Sequence, residues 1–149
     1  MQKIRLTKEF HFEASHALWN HDGKCKHIHG HSYKLLVTLL GSPVCDENSP
    51  KLGMLMDFGD LKRLVNESIV DKYDHALVLS DKTPHEMLPQ TPQLFDKLII
   101  TSYQPTCENL LIEFAELLKQ KLPSNIQLFS LRLHETPTSF AEWYASDNA

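Results

Sequence analysis

Lys3-Ile4-Arg5-Leu6-Thr7-Lys8-Glu9-Phe10-His11-Phe12-Glu13-Ala14-Ser15-His16-Ala17 alternates between two kinds of side chain. Ile4, Leu6, Phe10, Phe12, Ala14 and His16 share one parity; Arg5, Thr7, Glu9, His11, Glu13 and Ser15 share the other. Successive side chains of a strand point to opposite faces, so this stretch predicts one long strand, buried on one face and wet on the other. His16 closes the apolar row, where an isolated imidazole is poorly hydrated.

A polar loop from about Trp19 to Cys25, carrying Asp22-Gly23, leads to a second alternating run, His29 to Leu40. Its odd positions, His29, His31, Tyr33, Leu35, Val37 and Leu39, form one face. Paired as an antiparallel hairpin, the two runs bring His16, His29 and His31 together at the loop end of one sheet face. Six of the nine histidines lie between His11 and His31. Packing does not explain that crowding, because histidine is costly to bury without partners.

Beyond this hairpin, Gly41 to Leu52 holds Pro43 and Pro50 and reads as a loop, and Met54 to Phe58 as a short strand. Asp57 or Asp60 then caps a helix reaching about Tyr73, with Leu61, Leu64, Val65, Ile69 and Tyr73 on one stripe. Short strands are expected near Leu77 to Leu79 and Lys97 to Tyr103, separated by an irregular, proline-bearing insertion. Thr106 caps a second helix with Leu110, Leu111, Phe114, Leu117, Leu118 and Leu122 inward, and Pro123 stops it. Ile126 to Glu135 is the last clear strand, its odd positions Phe129, Leu131, Leu133 and Glu135 forming one face. Strands and helices in this order suit an α+β fold of one domain, residues 1–149, with two helices on one side of the sheet.

Composition excludes several functions. A net charge of −4 lacks the basic surface that nucleic acid requires. No segment approaches the roughly 18 apolar residues of a membrane span, and Met1–Phe10 lacks the apolar core of a secretory signal. Three scattered cysteines form no disulfide framework, so a cytoplasmic protein with reduced thiols is expected.

The chemistry points to metal. Three imidazoles are the donor set of a catalytic zinc site, which keeps its fourth position open. His27 competes for membership, having the same parity as His29 and His31. Cys25 reads as a fourth, structural ligand or as a reactive thiolate, and Asp74-His75 as a carboxylate-oriented base. Glu135, an acid on an apolar face, needs a partner, which a ligand with two parallel N–H donors provides. Thr106 and Glu108 are candidates to line that pocket. Cys45, Cys107, His11, His21, His85 and His134 read as ordinary packing or surface residues.

Phe12-Glu13-Ala14-Ser15-His16, Cys25-x-x-x-His29-Gly30-His31-Ser32-Tyr33, Met56-Asp57-Phe58, Asp74-His75, Pro105-Thr106-Cys107-Glu108-Asn109 and Glu135-Thr136 occur in that order. Together they resemble the family of 6-pyruvoyl- and 6-carboxy-tetrahydropterin synthases. The resemblance implies the tunnelling fold: a four-stranded antiparallel sheet with two helices on one side. Trimers of such subunits close a barrel and stack as a hexamer, with active sites at subunit interfaces. It implies zinc on His16, His29 and His31, proton transfer by Cys25, Asp74 and His75, and a pterin anchored by Glu135. Three residues between Cys25 and His29 resemble the 6-carboxy branch, which serves queuosine (7-deazaguanine) synthesis, the spacing being longer in the pyruvoyl branch. The implied reaction converts 7,8-dihydroneopterin triphosphate to 6-carboxy-tetrahydropterin, acetaldehyde and triphosphate. The alternatives are triphosphate elimination without carbon–carbon cleavage, a zinc hydrolase, and a structural zinc module closed by Cys25. The segment Ser80–Gln104 and the tail after Glu135 are longer than in compact members of the family.

Overall fold

The computed structural model describes residues 1–149, the side chain of Pro92 apart. The leading strand, β1, runs Ile4–Ala17, and β2 runs His29–Gly41; they pair antiparallel from Ile4↔Gly41 to His16↔His29. Both carry the expected faces, except that Ile4, at the start of the apolar row, is exposed. Phe10, Phe12, Ala14, Tyr33, Leu35, Val37 and Leu39 are buried, whereas Glu9, His11 and Glu13 are exposed.

A helical rod follows: α1, Phe58–Val65, a π-helical turn at Asn66–Val70, and the short α2, Asp71–Tyr73. Its start is fixed by Asp57, whose carboxylate accepts from the backbone N–H groups of Gly59 and Asp60. The strand expected over Met54–Phe58 does not form. Those residues serve as the approach to the helix, because Asp57 is needed as its cap. The second helix, α3, is Cys107–Lys121, capped by Thr106 as expected. Leu61, Val65, Ile69 and Tyr73 meet Leu110, Leu111, Phe114 and Leu118 over the inner faces of β1, β2 and β5 (Gln127–Thr136).

The sheet has six strands rather than four, in the order β4-β3-β1-β2-β5-β6. Four of them, β1, β2, β5 and β6 (Ser139–Tyr144), form the antiparallel part. The two additions, β3 (Ala76–Ser80) and β4 (Lys97–Thr101), lie parallel to the end of β1. The whole of β3 is buried, as a strand covered on both faces must be. The proline-bearing segment between them carries only two short 3₁₀ turns, His85–Met87 and Pro92–Leu94.

A bulge changes one expected face. The register slips between Thr38 and Leu39, opposite Ser130 and Leu128, so Phe129 is the extra residue. Leu128, Leu131 and Leu133 point inward, while Phe129 turns outward beneath the Arg5 guanidinium, 3.9 Å from its ring centre. A second slip, between His134 and Thr136, leaves Glu135 without a partner on β6.

Candidate metal centre

The register sets the site. His16 lies directly opposite His29, and Ala14 opposite His31, so three imidazoles share the inner face at the loop end of the hairpin. Ring centres lie 4.6 Å (His16 to His29), 5.2 Å (His16 to His31) and 4.9 Å (His29 to His31) apart. One nitrogen from each of the three lies within 4.8 Å of the others. His16 is 2% exposed.

Backbone carbonyls fix the tautomers. The Nδ1 of His16 lies 2.7 Å from the carbonyl oxygen of Pro105, and the Nδ1 of His29 lies 2.7 Å from that of His27. A carbonyl only accepts, so each Nδ1 carries the proton and each neutral ring turns a bare Nε2 lone pair inward. Those two Nε2 atoms are 3.1 Å apart. The Nε2 of His31 is buried with no hydrogen-bond partner among the described residues. Burial lowers the pKa of both His16 and His31 from the ordinary value, which keeps the rings unprotonated. Converging neutral lone pairs repel one another unless a cation lies between them, and this donor set fits zinc.

His27 is excluded from the set. Its ring is exposed and does not join the convergent nitrogens; its carbonyl instead orients His29. Cys25 also stays out. It sits exposed on a 3₁₀ turn, Lys24–Lys26, in a loop closed by the Leu18 N–H donating to the Cys25 carbonyl.

Glu135 is closer to the imidazoles than a residue at the far end of the pocket would be. Its Oε1 lies 3.3 Å from the Nε2 of His16 and 3.3 Å from the Nε2 of His31. Glu135 faces inward by the alternation that also buries Leu131 and Leu133, and the bulge leaves it unpaired from β6. Beyond Lys34↔His134 no pairing joins β2 to β5, and a pocket opens there between His31, Ser32, Lys34, His134 and Glu135. Beside it, Cys107 donates its S–H to the Leu133 carbonyl at 3.3 Å. Burial and the neighbouring Glu135 charge push that thiol up to about 12, so Cys107 stays protonated and inert.

Thr106 and Glu108 do not line that pocket among the described residues. The Thr106 hydroxyl accepts from the Asn109 N–H as the helix cap, and Glu108 is exposed. Pro105 carries the part of this motif that reaches the site, through the carbonyl on His16; sequence reasoning missed it, since a carbonyl leaves no signature.

Asp74 and His75 form their own pair elsewhere, with His75 Nδ1 3.1 Å from Asp74 Oδ2. The β1 backbone clamps both: Asp74 accepts from the Glu13 N–H, and His75 donates its N–H to the Glu13 carbonyl. The Glu13 N–H and the His75 ring hold the Asp74 carboxyl below its ordinary pKa. His75 is held at φ +62°, in the left-handed region. Its ring is largely exposed, over a groove lined by Glu13, Ser15, Ser32 and Leu77 on the outer face of the sheet. Within one chain, therefore, Cys25 and the Asp74–His75 pair both stand outside the set of convergent nitrogens, although the groove beneath His75 also reaches His31.

Comparison with known proteins agrees with this geometry. The family model described as 6-pyruvoyl tetrahydropterin synthase matches residues 5–146. A Haemophilus influenzae protein named 6-carboxy-5,6,7,8-tetrahydropterin synthase is 37% identical over 142 residues, covering 94% of this chain and 98% of its own. A Rickettsia conorii protein of the same name is 32% identical over 143 residues, covering 93% and 99%. Among solved structures, 6-pyruvoyl tetrahydropterin synthase of Caenorhabditis elegans superimposes with a TM-score of 0.67 at 25% identity, covering 97% of each chain.

Proposed function

Because the chain belongs to the 6-pyruvoyl tetrahydropterin synthase family, we propose that it is a zinc-dependent lyase making 6-carboxy-5,6,7,8-tetrahydropterin for queuosine synthesis. The substrate is 7,8-dihydroneopterin triphosphate; one water is consumed, and acetaldehyde and triphosphate leave. The observation that carries this reading is the cluster in which three convergent imidazoles meet the Glu135 carboxylate. The relatives of 37% and 32% identity bear the same printed name.

His16, His29 and His31 hold the metal, with Pro105 and His27 orienting two of the rings. Bound there, zinc supplies Lewis acidity toward oxygens of the substrate side chain. Glu135 accepts the paired N–H groups of the pterin's pyrimidine edge. Cys25, as a thiolate, removes a proton from the side-chain carbon next to the ring. His75, oriented by Asp74, donates and accepts the complementary proton. That Cys25, Asp74 and His75 stand outside the set of convergent nitrogens in one chain supports a site completed by another copy, in a hexamer built from two trimers. The exclusion of Cys25 from the convergent nitrogens weighs against a closed structural zinc module.

The test is incubation of the zinc-loaded protein with dihydroneopterin triphosphate. Acetaldehyde and 6-carboxy-tetrahydropterin in equal amounts are expected. Triphosphate release without acetaldehyde would assign the pyruvoyl-type reaction instead.

A further inference from the structure

Glu135 presents an electrostatic problem that the pterin role alone does not solve. Its Oε1 lies 3.3 Å from two imidazole nitrogens, His16 Nε2 and His31 Nε2. The first offers no proton, because His16 carries its hydrogen on Nδ1, against Pro105. The second makes no hydrogen bond at all among the described residues. A carboxylate at this range from the His16 lone pair, and from a His31 nitrogen with which it makes no hydrogen bond, is poorly placed unless a positive ion sits among them.

The spacings match such an ion. Donors about 2.05 Å from a tetrahedral zinc lie roughly 3.3–3.4 Å from one another. The contacts from His16 to His29, His16 to Glu135 and His31 to Glu135 are 3.1, 3.3 and 3.3 Å. Glu135 reaches the cluster from the β5 side, on the bulge that frees it from β6.

We propose that Glu135 is an exchangeable ligand: its carboxylate binds the metal beside His16 and His31 until the pterin arrives, then leaves the ion to accept the pterin's N–H pair. The inference rests on the metal reading of the three histidines. It makes one side chain report pterin binding to the metal, since the pterin and the ion compete for the same carboxylate. The ion thereby gains an open coordination position only when substrate is in place.

The experiment uses metal alone first. Zinc affinity of the wild type and of Glu135→Gln is measured by competition with a chromophoric chelator, with circular dichroism confirming the fold. The expected result is one tight zinc per chain in the wild type and at least about tenfold weaker binding in the variant. Equal affinities overturn the proposal while leaving the three-histidine site intact. No stoichiometric zinc in the wild type would overturn the metal reading itself. Second, the cobalt-substituted wild type is titrated with unsubstituted pterin, which has no side chain to reach the metal. Its visible absorption should move to that of the cobalt-substituted Glu135→Gln protein. A pterin that binds, shown by calorimetry, and leaves the spectrum unchanged would refute the exchange.

Discussion

His16 and His31 are bases whose burial holds their pKa below the ordinary 6.5. In the metal-free protein, the unfolded chain therefore binds more protons than the folded one in the window just below pH 6.5. Stability contributed by these rings is complete above that window and is lost as the pH falls through it. The thermal midpoint of metal-free protein should drop between pH 7 and pH 5, and drop less in His31→Gln; a midpoint steady across that range would contradict neutral buried imidazoles. Zinc should hold the midpoint up until protons displace it. The three-histidine cluster was legible in the sequence because strand parity and a hairpin suffice to gather it. The closeness of Glu135 to that cluster was not legible: parity puts it on the inner face with Leu131 and Leu133, but the register of β5 beside β2, which sets its distance from His31, leaves no mark in the sequence.

The helices and strands show what alternation can and cannot carry. Both faces of β1 and β2 follow from parity alone, and Asp57 and Thr106 cap their helices as their residue types predict. Phe129 is the instructive failure: an aromatic residue in an apolar row, turned out by one extra residue and covered by Arg5. The strand β6 escaped notice because Ser139–Tyr144 is too short and too mixed to show a period. Thr106 joins helix stability to the site, because the residue before it supplies the carbonyl that holds His16. Thr106→Ala should cost about 1 kcal/mol in urea unfolding through loss of the cap. It should also weaken zinc binding several-fold if the cap steadies Pro105. Unchanged stability would mean that the Asn109 N–H finds water as good a partner.

The chain as a whole places its catalytic candidates apart, with His75 over the outer groove and the imidazoles on the inner face. Sequence motifs reveal membership of a set but not whether one chain can assemble it. Two inactive variants, Cys25→Ala and His75→Ala, should therefore regain part of the activity when mixed and allowed to exchange subunits. Mixtures that stay inactive, despite exchange seen by mass spectrometry, would place both residues in a site made by one copy. The sheet itself bears on the same question. On the side of β1 away from β2, β3 covers only Ala14–Ala17, and β4 and β6 end the sheet. The backbone amides and carbonyls from Ile4 to Phe12 on that side have no strand beside them. Unpaired strand margins are the surfaces by which proteins aggregate. A lone subunit is thus exposed to promiscuous strand addition during synthesis. Rapid docking with sister copies would protect it, and the yield of usable protein would depend on how quickly new chains find one another.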